Sequence, residues 1–344
     1  MSPKPITIVG GGLAGLTLGI SLRRREIPVM IHEAGHYPRH RVCGEFISGR
    51  GQETLARLGL RELIDRARAL SATTAAFFST TQSGANRVLP ASAICLSRFT
   101  MDHALAQEFR RLGGGLTENN RWRENFTEGV VRATGRRAPA EENGTRWFGL
   151  KVHARDVALN ADLELHFSPG GYVGLCRLNG GEVNVSGLFR RTGMDNTTHD
   201  WRERLRGQPG SPLHQRLASA EFDENSFCAV AGLSLQPQRA SSHGECCVGD
   251  AITMIPPVTG NGMSMAFESA ELAIKPLAAW SHGEISWAEA HQHLTRDCDV
   301  TFARRLAWAK WLQRLALTPA LQNMLVALVS RSELFWRTVF ERTR

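Results

Sequence analysis

A glycine-rich turn near the N-terminus constrains this chain more than any other feature. Residues 5–9 form a short apolar run rich in β-branched side chains, which predicts a buried parallel strand. Gly10-Gly11-Gly12-Leu13-Ala14-Gly15 follows directly, and the amphipathic stretch 13–25 predicts a helix. A second strand is predicted over 27–32. Such a strand–turn–helix–strand unit is typical of a parallel α/β sheet with helices on its faces.

The glycines have the spacing G-x-G-x-x-G, and each has a separate task. Gly10 would allow the tight turn, Gly12 would let the backbone approach a pyrophosphate, and Gly15 would let the helix pack closely on the strand. The N-terminus of the helix offers free N–H groups to phosphates. Glu33 follows the second strand, where an acid can accept hydrogen bonds from ribose hydroxyls. The predicted dinucleotide site comprises Gly10, Gly12, Leu13, Ala14, Gly15 and Glu33.

A second signature lies in residues 245–270. A predicted strand over 246–248 ends at Gly249-Asp250, a loop follows, and a helix begins near Met263. With this order of motifs, the chain resembles the FAD-dependent monooxygenase and geranylgeranyl-reductase superfamily, the p-hydroxybenzoate-hydroxylase-like flavoproteins. The resemblance implies that Asp250 binds the ribityl or pyrophosphate part of FAD. It also implies that the start of the helix faces the pyrimidine edge of the flavin, where the helix dipole would stabilise negative charge. The residues assigned to FAD in this loop are Gly249, Asp250, Pro257, Gly260, Asn261, Gly262 and Met263.

Two further segments agree with the resemblance. Arg98 begins a segment similar to the family's Arg-x-x-(x)-Asp-x-x-Leu, whose arginine contacts the flavin or its phosphates; a surface arginine is the alternative. Ala133-Thr134-Gly135 resembles the strand end that lies beside the bound nucleotide, although many hydroxylases carry Ala-Asp-Gly there. No second G-x-G-x-x-G motif occurs, so a pyridine nucleotide would have no fold of its own in this chain.

The segment Arg41-Val42-Cys43-Gly44-Glu45, with Ser48 after it, resembles the Cys-Gly-x-x-x-Ser loop of geranylgeranyl reductases. It precedes a predicted helix over 51–70. The resemblance implies that Arg41, Val42, Cys43 and Gly44 pass near the isoalloxazine ring. Cys43 could then supply a proton or tune the flavin, or it could be a small packing residue, and both readings stay open.

Residues 169–177 align with the reductase motif Pro-x-x-Tyr-x-Trp-x-Phe-Pro, which lines a lipid channel in that family. The Pro and Tyr172 match, whereas Gly174 and Cys176 stand in place of the two bulky rings. Alternation puts Tyr172, Gly174 and Cys176 on one face of a strand, so a wider pocket is predicted and a geranylgeranyl substrate is not supported. Tyr172 is either a substrate anchor, and so a catalytic candidate with Cys43, or a packing residue.

Halogenases share this nucleotide-binding fold, but as a family they use a catalytic lysine and a Trp-x-Trp-x-Ile-Pro element. No lysine lies between Lys4 and Lys151, and no such tryptophan element occurs. Lys151 is predicted to lie at the surface or between domains. The histidines show no metal-ligand spacing, so no metal is predicted.

The net charge of +8 is concentrated in residues 301–344, which carry eight cationic and two acidic side chains and leave +2 for residues 1–300. This segment predicts amphipathic helices broken near Thr318-Pro319, which either pack on the FAD-binding part or contact an anionic membrane. No nucleic-acid-binding motif is present. The N-terminal residues do not resemble a signal peptide, no apolar run reaches about 18 residues, and seven cysteines lack a framework spacing. A cytoplasmic protein is expected, with membrane association as an alternative.

Together these features predict an α/β fold with three parts. They are a Rossmann-like FAD-binding domain (1–71, 98–146 and 240–300), an inserted, mostly antiparallel β-sheet substrate domain (72–97 and 147–239) and a C-terminal helical segment (301–344). The predicted function is an FAD-dependent oxidoreductase with NAD(P)H or a reduced electron donor as co-substrate. It would hydroxylate a small or medium apolar, aromatic, polyketide-like or isoprenoid-like substrate with O2, or reduce or oxidise a C=C bond. That substrate is free or held by a lipid or carrier. The alternative is a flavin-binding sensor or membrane-docking module without turnover.

Overall fold

A computed structural model describes residues 2–136, 145–192 and 200–344. Strands and helices alternate through the first part of the chain. The strands are β1 (Ile6–Val9), β2 (Val29–His32), β3 (Phe46–Ile47), β4 (Leu70–Phe78), β5 (Arg87–Cys95), β6 (Gly115–Thr117), β7 (Val130–Arg132), β8 (Thr145–Arg155), β9 (Leu163–Ser168), β10 (Gly171–Arg177), β11 (Val183–Thr192) and β12 (Glu221–Leu233). The helices are α1 (Leu13–Arg23), α2 (Arg50–Arg57), α3 (Arg61–Arg66), α4 (Arg98–Arg111), α5 (Trp201–Arg206), α6 (Pro212–Arg216), α7 (Gly262–Ser281), α8 (Trp287–Leu317), α9 (Pro319–Arg331) and α10 (Glu333–Thr343).

The first sheet is parallel, with the strand order β6-β2-β1-β7. A parallel backbone bridge between Arg132 and Cys247 continues it beyond β7. Helix α1 packs on this sheet beside α4 and α7, and it is buried on nearly all sides. This close packing depends on Gly19, where a Cβ atom would lie 2.8 Å from Ile31 and 2.9 Å from Phe109.

The second sheet has eight strands in the order β12-β8-β11-β10-β9-β4-β5-β3. Only the β4–β9 pair is parallel among its described pairings. Leucines from α5 and α6 pack on one face, while α8, α9 and α10 pack on another part of the sheet. The predicted fold class, a Rossmann-like domain with a mostly antiparallel sheet and C-terminal helices, is confirmed.

The C-terminal helices pack their apolar faces inward. Helix α8 begins with a capping box of Ser286 and Glu289 and ends at Thr318-Pro319, the predicted break. Buried apolar residues of α9 and α10, among them Val326 and Trp336, contact the second sheet. Membrane contact stays a prediction: Leu334 is 79% exposed, and vesicle flotation would test it. Within residues 2–136, 145–192 and 200–344, no helix is long and apolar enough to cross a membrane.

Three sequence-based predictions of elements were wrong in their bounds. The helix predicted over 51–70 is two helices, because Gly59 at φ = 63° turns the chain between α2 and α3, and β4 already begins at Leu70. The strand predicted over 246–248 makes only the bridge to Arg132. The first C-terminal helix begins at Trp287 rather than near 301, since its N-terminal cap lies at Ser286.

Candidate active site

A cavity of about 1040 Å³ extends from the β1–α1 turn to the second sheet. Its walls come from the loop between β2 and β3, the ends of β1 and β7, the segment 248–263, and strands β8 to β12. Helices α8 and α10 close one side through Leu312 and Phe340. Residues far apart in the chain therefore share one space.

The turn at Gly10-Gly15 has the geometry that a phosphate group needs. Gly10 has φ = 110°, and a Cβ atom there would lie 2.3 Å from the carbonyl oxygen of Ala133. A Cβ at Gly15 would lie 2.0 Å from the Gly10 carbonyl oxygen, so α1 packs directly on the turn. At Gly12 the Cβ would meet no described atom within 4 Å. The backbone at Gly12 is thus open to the cavity at the N-terminus of α1, where N–H groups point at a ligand.

Glu33 lies at the end of β2, buried and held in place. The amides of Gly11 and Gly35 donate to its carboxylate at 2.8 and 2.9 Å. The guanidinium groups of Arg39 and Arg41 lie beside the same carboxylate. Burial raises the pKa of Glu33, but the two arginines and two amides together outweigh burial, so the pKa lies below its usual value. Glu33 is therefore an ionised acceptor at neutral pH.

Arg98 and Arg41 share one buried acid. Arg98 donates to both oxygens of Asp102 at 2.7 and 2.8 Å, and Arg41 Nε lies 3.2 Å from Asp102. The Arg98 side chain is only 12% exposed and lines the cavity, so the surface-arginine alternative is wrong. Since Arg41 also lies beside Glu33, the wall has three guanidinium groups (Arg39, Arg41 and Arg98) against two carboxylates, and the one remaining positive charge suits an anionic ligand.

Cys43 lies in the cavity wall, where its sulfur accepts a hydrogen bond from the Glu45 amide at 3.5 Å. Asn184 Nδ2 donates to the Cys43 carbonyl oxygen at 2.9 Å and ties the loop to β11. Burial raises the pKa of the Cys43 thiol, although Arg98 lowers it in part. The sulfur is therefore a thiol rather than a thiolate at neutral pH.

The segment 249–263 faces the first turn of α1. A Cβ at Gly249 would lie 2.9 Å from the Cβ of Ala14. Burial raises the pKa of Asp250, which lines the cavity beside it. Asn261 is fully buried, and its Nδ2 donates to the carbonyl oxygen of Thr343. The start of α7 is thereby joined to the end of α10.

All of the residues predicted to hold the cofactor line this cavity, except Gly15, Ala133 and Asn261. Gly15 and Ala133 instead shape the turn from behind. Residues 120–124 also line the cavity, where Trp122 packs against His32 with ring centroids 4.9 Å apart. The sequence carried no recognisable motif for that wall.

Tyr172, Gly174 and Cys176 all line the cavity, on the floor formed by β10. The hydroxyl of Tyr172 donates to Gln313 Oε1 at 3.3 Å, so α8 holds it. At Gly174 the nearest atoms to a Cβ would be 3.7 Å away or more, which leaves open space above the floor. Apolar residues around it form the larger end of the cavity: Phe46, Phe77, Leu89, Leu163, Leu165, Leu188, Leu233, Met254, Val258, Leu312, Trp336, Val339 and Phe340.

A buried group of ionisable side chains lies beside this cavity, and sequence reasoning missed it. Lys151 is fully buried, so the surface alternative is wrong, whereas its neighbours His40 and Glu45 belong to the predicted FAD-binding domain and agree with the other predicted position, between domains. Its Nζ lies 2.9 Å from His40 Nδ1 and 3.6 Å from Glu45 Oε1. His153 Nε2 lies 2.7 Å from Glu45 Oε2, and the Arg98 amide donates to Glu45 at 2.9 Å. The available signal was the spacing Lys151-x-His153, which places two ionisable side chains on one face of β8.

Stability is expected to fall as pH drops through the range where His40 would titrate. Burial, together with the charges of Lys151 and His153 and against those of Glu45 and Asp223, lowers the pKa of His40 to about 4. Between pH 6.5 and about 4 the unfolded state binds a proton that the folded state does not, so the free energy of unfolding decreases with acid. His40→Gln should remove about 2 kcal/mol of this dependence, after allowance for partial exposure.

Urea denaturation of wild type and His40→Gln at several pH values measures this difference. The exposed His293, replaced by Gln, is the matched control. Equal slopes with pH for wild type and His40→Gln would contradict the assignment.

Comparisons with known proteins find similar folds, among them that of a flavin-dependent enzyme. A family model for squalene epoxidase matches residues 207–297. No curated protein matches the chain. The flavin-dependent brominase Bmp2 is similar in structure, with a TM-score of 0.75 and 14% identity over 98% of this chain and 92% of that chain. PqsL of P. aeruginosa, solved in complex with 2-aminobenzoylacetate, has a TM-score of 0.70 and 14% identity over 94% of this chain and 100% of that one. A geranylgeranyl bacteriochlorophyll reductase-like protein from Thermoplasma acidophilum has a TM-score of 0.70 and 16% identity, over 99% and 96% of the two chains.

The chain therefore has the α/β fold of flavin-dependent oxidoreductases. Within that class, the predicted resemblance to the FAD-dependent monooxygenase and geranylgeranyl-reductase superfamily is confirmed.

Proposed function

We propose that this protein is an FAD-dependent oxidoreductase that acts on an apolar organic substrate. The observation that carries the proposal is the continuity of one cavity, from the open backbone at Gly12 to the apolar residues over β10. A dinucleotide fits the end of the cavity at Gly12, because this end offers helix N–H groups, an ionised acid and two arginines. The end over β10 is lined by apolar side chains, which suits an apolar molecule.

Different residues of the cavity would bind different parts of FAD and of the substrate. The N-terminus of α1 would hold the pyrophosphate, Glu33 would accept from ribose hydroxyls, and Asp250 would contact the ribityl chain. When bound, FAD supplies electron transfer to or from the substrate or O2. Cys43, as a thiol in the wall, can hold a proton for that chemistry. Tyr172 would orient the substrate from the floor, with its hydroxyl kept in place by Gln313.

Oxygenation is the reaction that we favour. The match to squalene epoxidase and the likeness to PqsL support it, whereas the loss of both bulky rings around Tyr172 argues against the lipid substrate of the reductases. Halogenation is not supported. Lys151 has its ammonium group between His40 and Glu45, behind the cavity wall.

The test begins with purified protein titrated with FAD, followed by anaerobic reduction with NADH, NADPH or dithionite. Candidate apolar aromatic and isoprenoid compounds are then added with O2, and oxygen uptake is compared with product formation. Oxygen uptake in step with a hydroxylated or epoxidised product is the expected result. Product formed only without O2 would favour C=C reduction, and rapid reoxidation without any product would favour the sensor. Absence of FAD binding would refute the proposal.

A further inference from the structure

A partly buried arginine lines one corner of the cavity, beside the start of α7. Arg344 lines the cavity together with Gly260, Gly262 and Met263. Its guanidinium carbon lies 4.5 Å from the centroid of the Phe340 ring. Across the loop, a Cβ at Gly49 would lie 2.8 Å from the Arg344 side chain, so this side chain is enclosed on both sides.

The charge of Arg344 has no acidic side-chain partner within residues 2–136, 145–192 and 200–344. No described Asp or Glu side chain forms an ion pair with it; its Nη1 donates to Thr343 Oγ1 at 2.9 Å, and its Nε has no described partner. The adjacent Arg305 already has its own acid, because it binds Glu268 through two contacts of 2.6 and 2.9 Å. Burial and Arg305 lower the pKa of Arg344 to about 9, which still leaves it charged at neutral pH. A partly buried cation without an acidic partner is stabilised when an anionic group binds beside it.

Two buried polar atoms at the same corner also lack protein partners. Ser48 Oγ and Asn261 Oδ1 make no hydrogen bond within the described chain, although both residues are almost fully buried. Neither residue lines the cavity, so these two atoms belong to the polar surroundings of Arg344 and are not contacts to a ligand. The 20-residue helix α7 begins here as well, and its N-terminus adds positive potential.

We propose that Arg344 faces the pyrimidine edge of the bound flavin and stabilises the negative charge that reduction places at N1 and the C2 carbonyl. The proposal rests on the proposed function, since it requires FAD in the cavity. The sequence resemblance implied that the dipole of α7 stabilises this charge. Arg344, just after α10, would add a full positive charge to that dipole. Asn261 supports this placement through its bond to the Thr343 carbonyl.

Sulfite binding to the FAD-loaded protein tests the charge without any need for turnover. The sulfur lone pair of sulfite bonds to N5 of the oxidised flavin, and the displaced electron pair leaves its negative charge at N1–C2=O, so no proton or reductant is needed. Arg344→Met keeps the length of the side chain and removes its charge. We expect it to raise the dissociation constant of sulfite about tenfold or more, while the dissociation constant of oxidised FAD changes by less than about threefold.

Two matched variants complete the experiment. Arg344→Lys keeps the charge and should restore most of the sulfite affinity, and Arg337→Met on the exposed face of α10 should leave it unchanged. If sulfite binding proves too weak in the wild type, the flavin reduction potential replaces it. A tenfold effect then corresponds to a fall of about 30 mV for the two-electron couple in Arg344→Met.

FAD binding with an unchanged sulfite affinity and potential in Arg344→Met would overturn this inference alone. Failure of the wild type to bind FAD would overturn both this inference and the proposed function.

Discussion

A Gly12→Val variant should fold normally and lose FAD affinity by about 100-fold or more. The backbone at Gly12 is extended (φ = −81°, ψ = −172°), which valine adopts readily, and a Cβ there meets no described atom within 4 Å. The side chain therefore costs the folded protein little. It occupies the space in which a pyrophosphate must approach the N–H groups of α1, and so it blocks binding by sterics. Fluorescence titration with FAD measures the affinity, and urea denaturation measures the stability.

Variants at two other glycines serve as controls that distinguish a loss of FAD binding from a loss of stability. Gly244 is exposed and would also accept a Cβ without a described contact, so Gly244→Val should change neither quantity. Gly10→Ala should instead destabilise the fold, because its φ is 110° and its Cβ would lie 2.3 Å from a backbone oxygen. A Gly12→Val protein that binds FAD like the wild type would place the cofactor elsewhere.

Glu45→Gln should cost about 3–5 kcal/mol of stability, because it leaves the fully buried Lys151 without a carboxylate. Lys151→Met should cost less, since Glu45 keeps His153 and the Arg98 amide. The loop that carries Arg41 and Cys43 is tied to β8 through this pair, so FAD affinity should fall in both variants. Urea denaturation and FAD titration are the measurements.

The double variant Glu45→Gln, Lys151→Met decides whether the two residues act as a pair. Its loss of stability should be smaller than the sum of the single losses by about 1–3 kcal/mol, because no uncompensated charge remains. Additive losses would show that Lys151 and Glu45 act independently. Exposed ion pairs such as Arg61–Asp65 should show coupling below about 1 kcal/mol in the same analysis.

The nucleotide half of this fold could be predicted from the sequence because its signals are local. Gly10, Gly12 and Gly15 stand between two apolar strands, and the turn they imply has only one common geometry. The helix predicted at residues 51–70 failed for an equally local reason: a single glycine, Gly59, ends one helix and starts the next. Element type was thus better determined than element length.

The remainder of the site could not be predicted because it depends on long-range contacts. His40 and Lys151 are 111 residues apart in the chain, and neither segment contains a sequence pattern that predicts their contact. Phe340 and Arg344 reach the cavity only because α10 returns to the start of α7. The basic residues of the C-terminal segment were predicted to face solvent or a membrane, yet one of them, Arg344, lies in the cavity wall.

Glu33 has a further consequence for the energetics of binding. Its carboxylate is fixed by the amides of Gly11 and Gly35 and by Arg39, all of which belong to the protein. A ligand that reaches this acid therefore finds its acceptor already oriented and ionised, and it does not have to order the loop on arrival. Less of the interaction energy is lost as conformational entropy, so the affinity for a dinucleotide comes from a site that is rigid before it is filled.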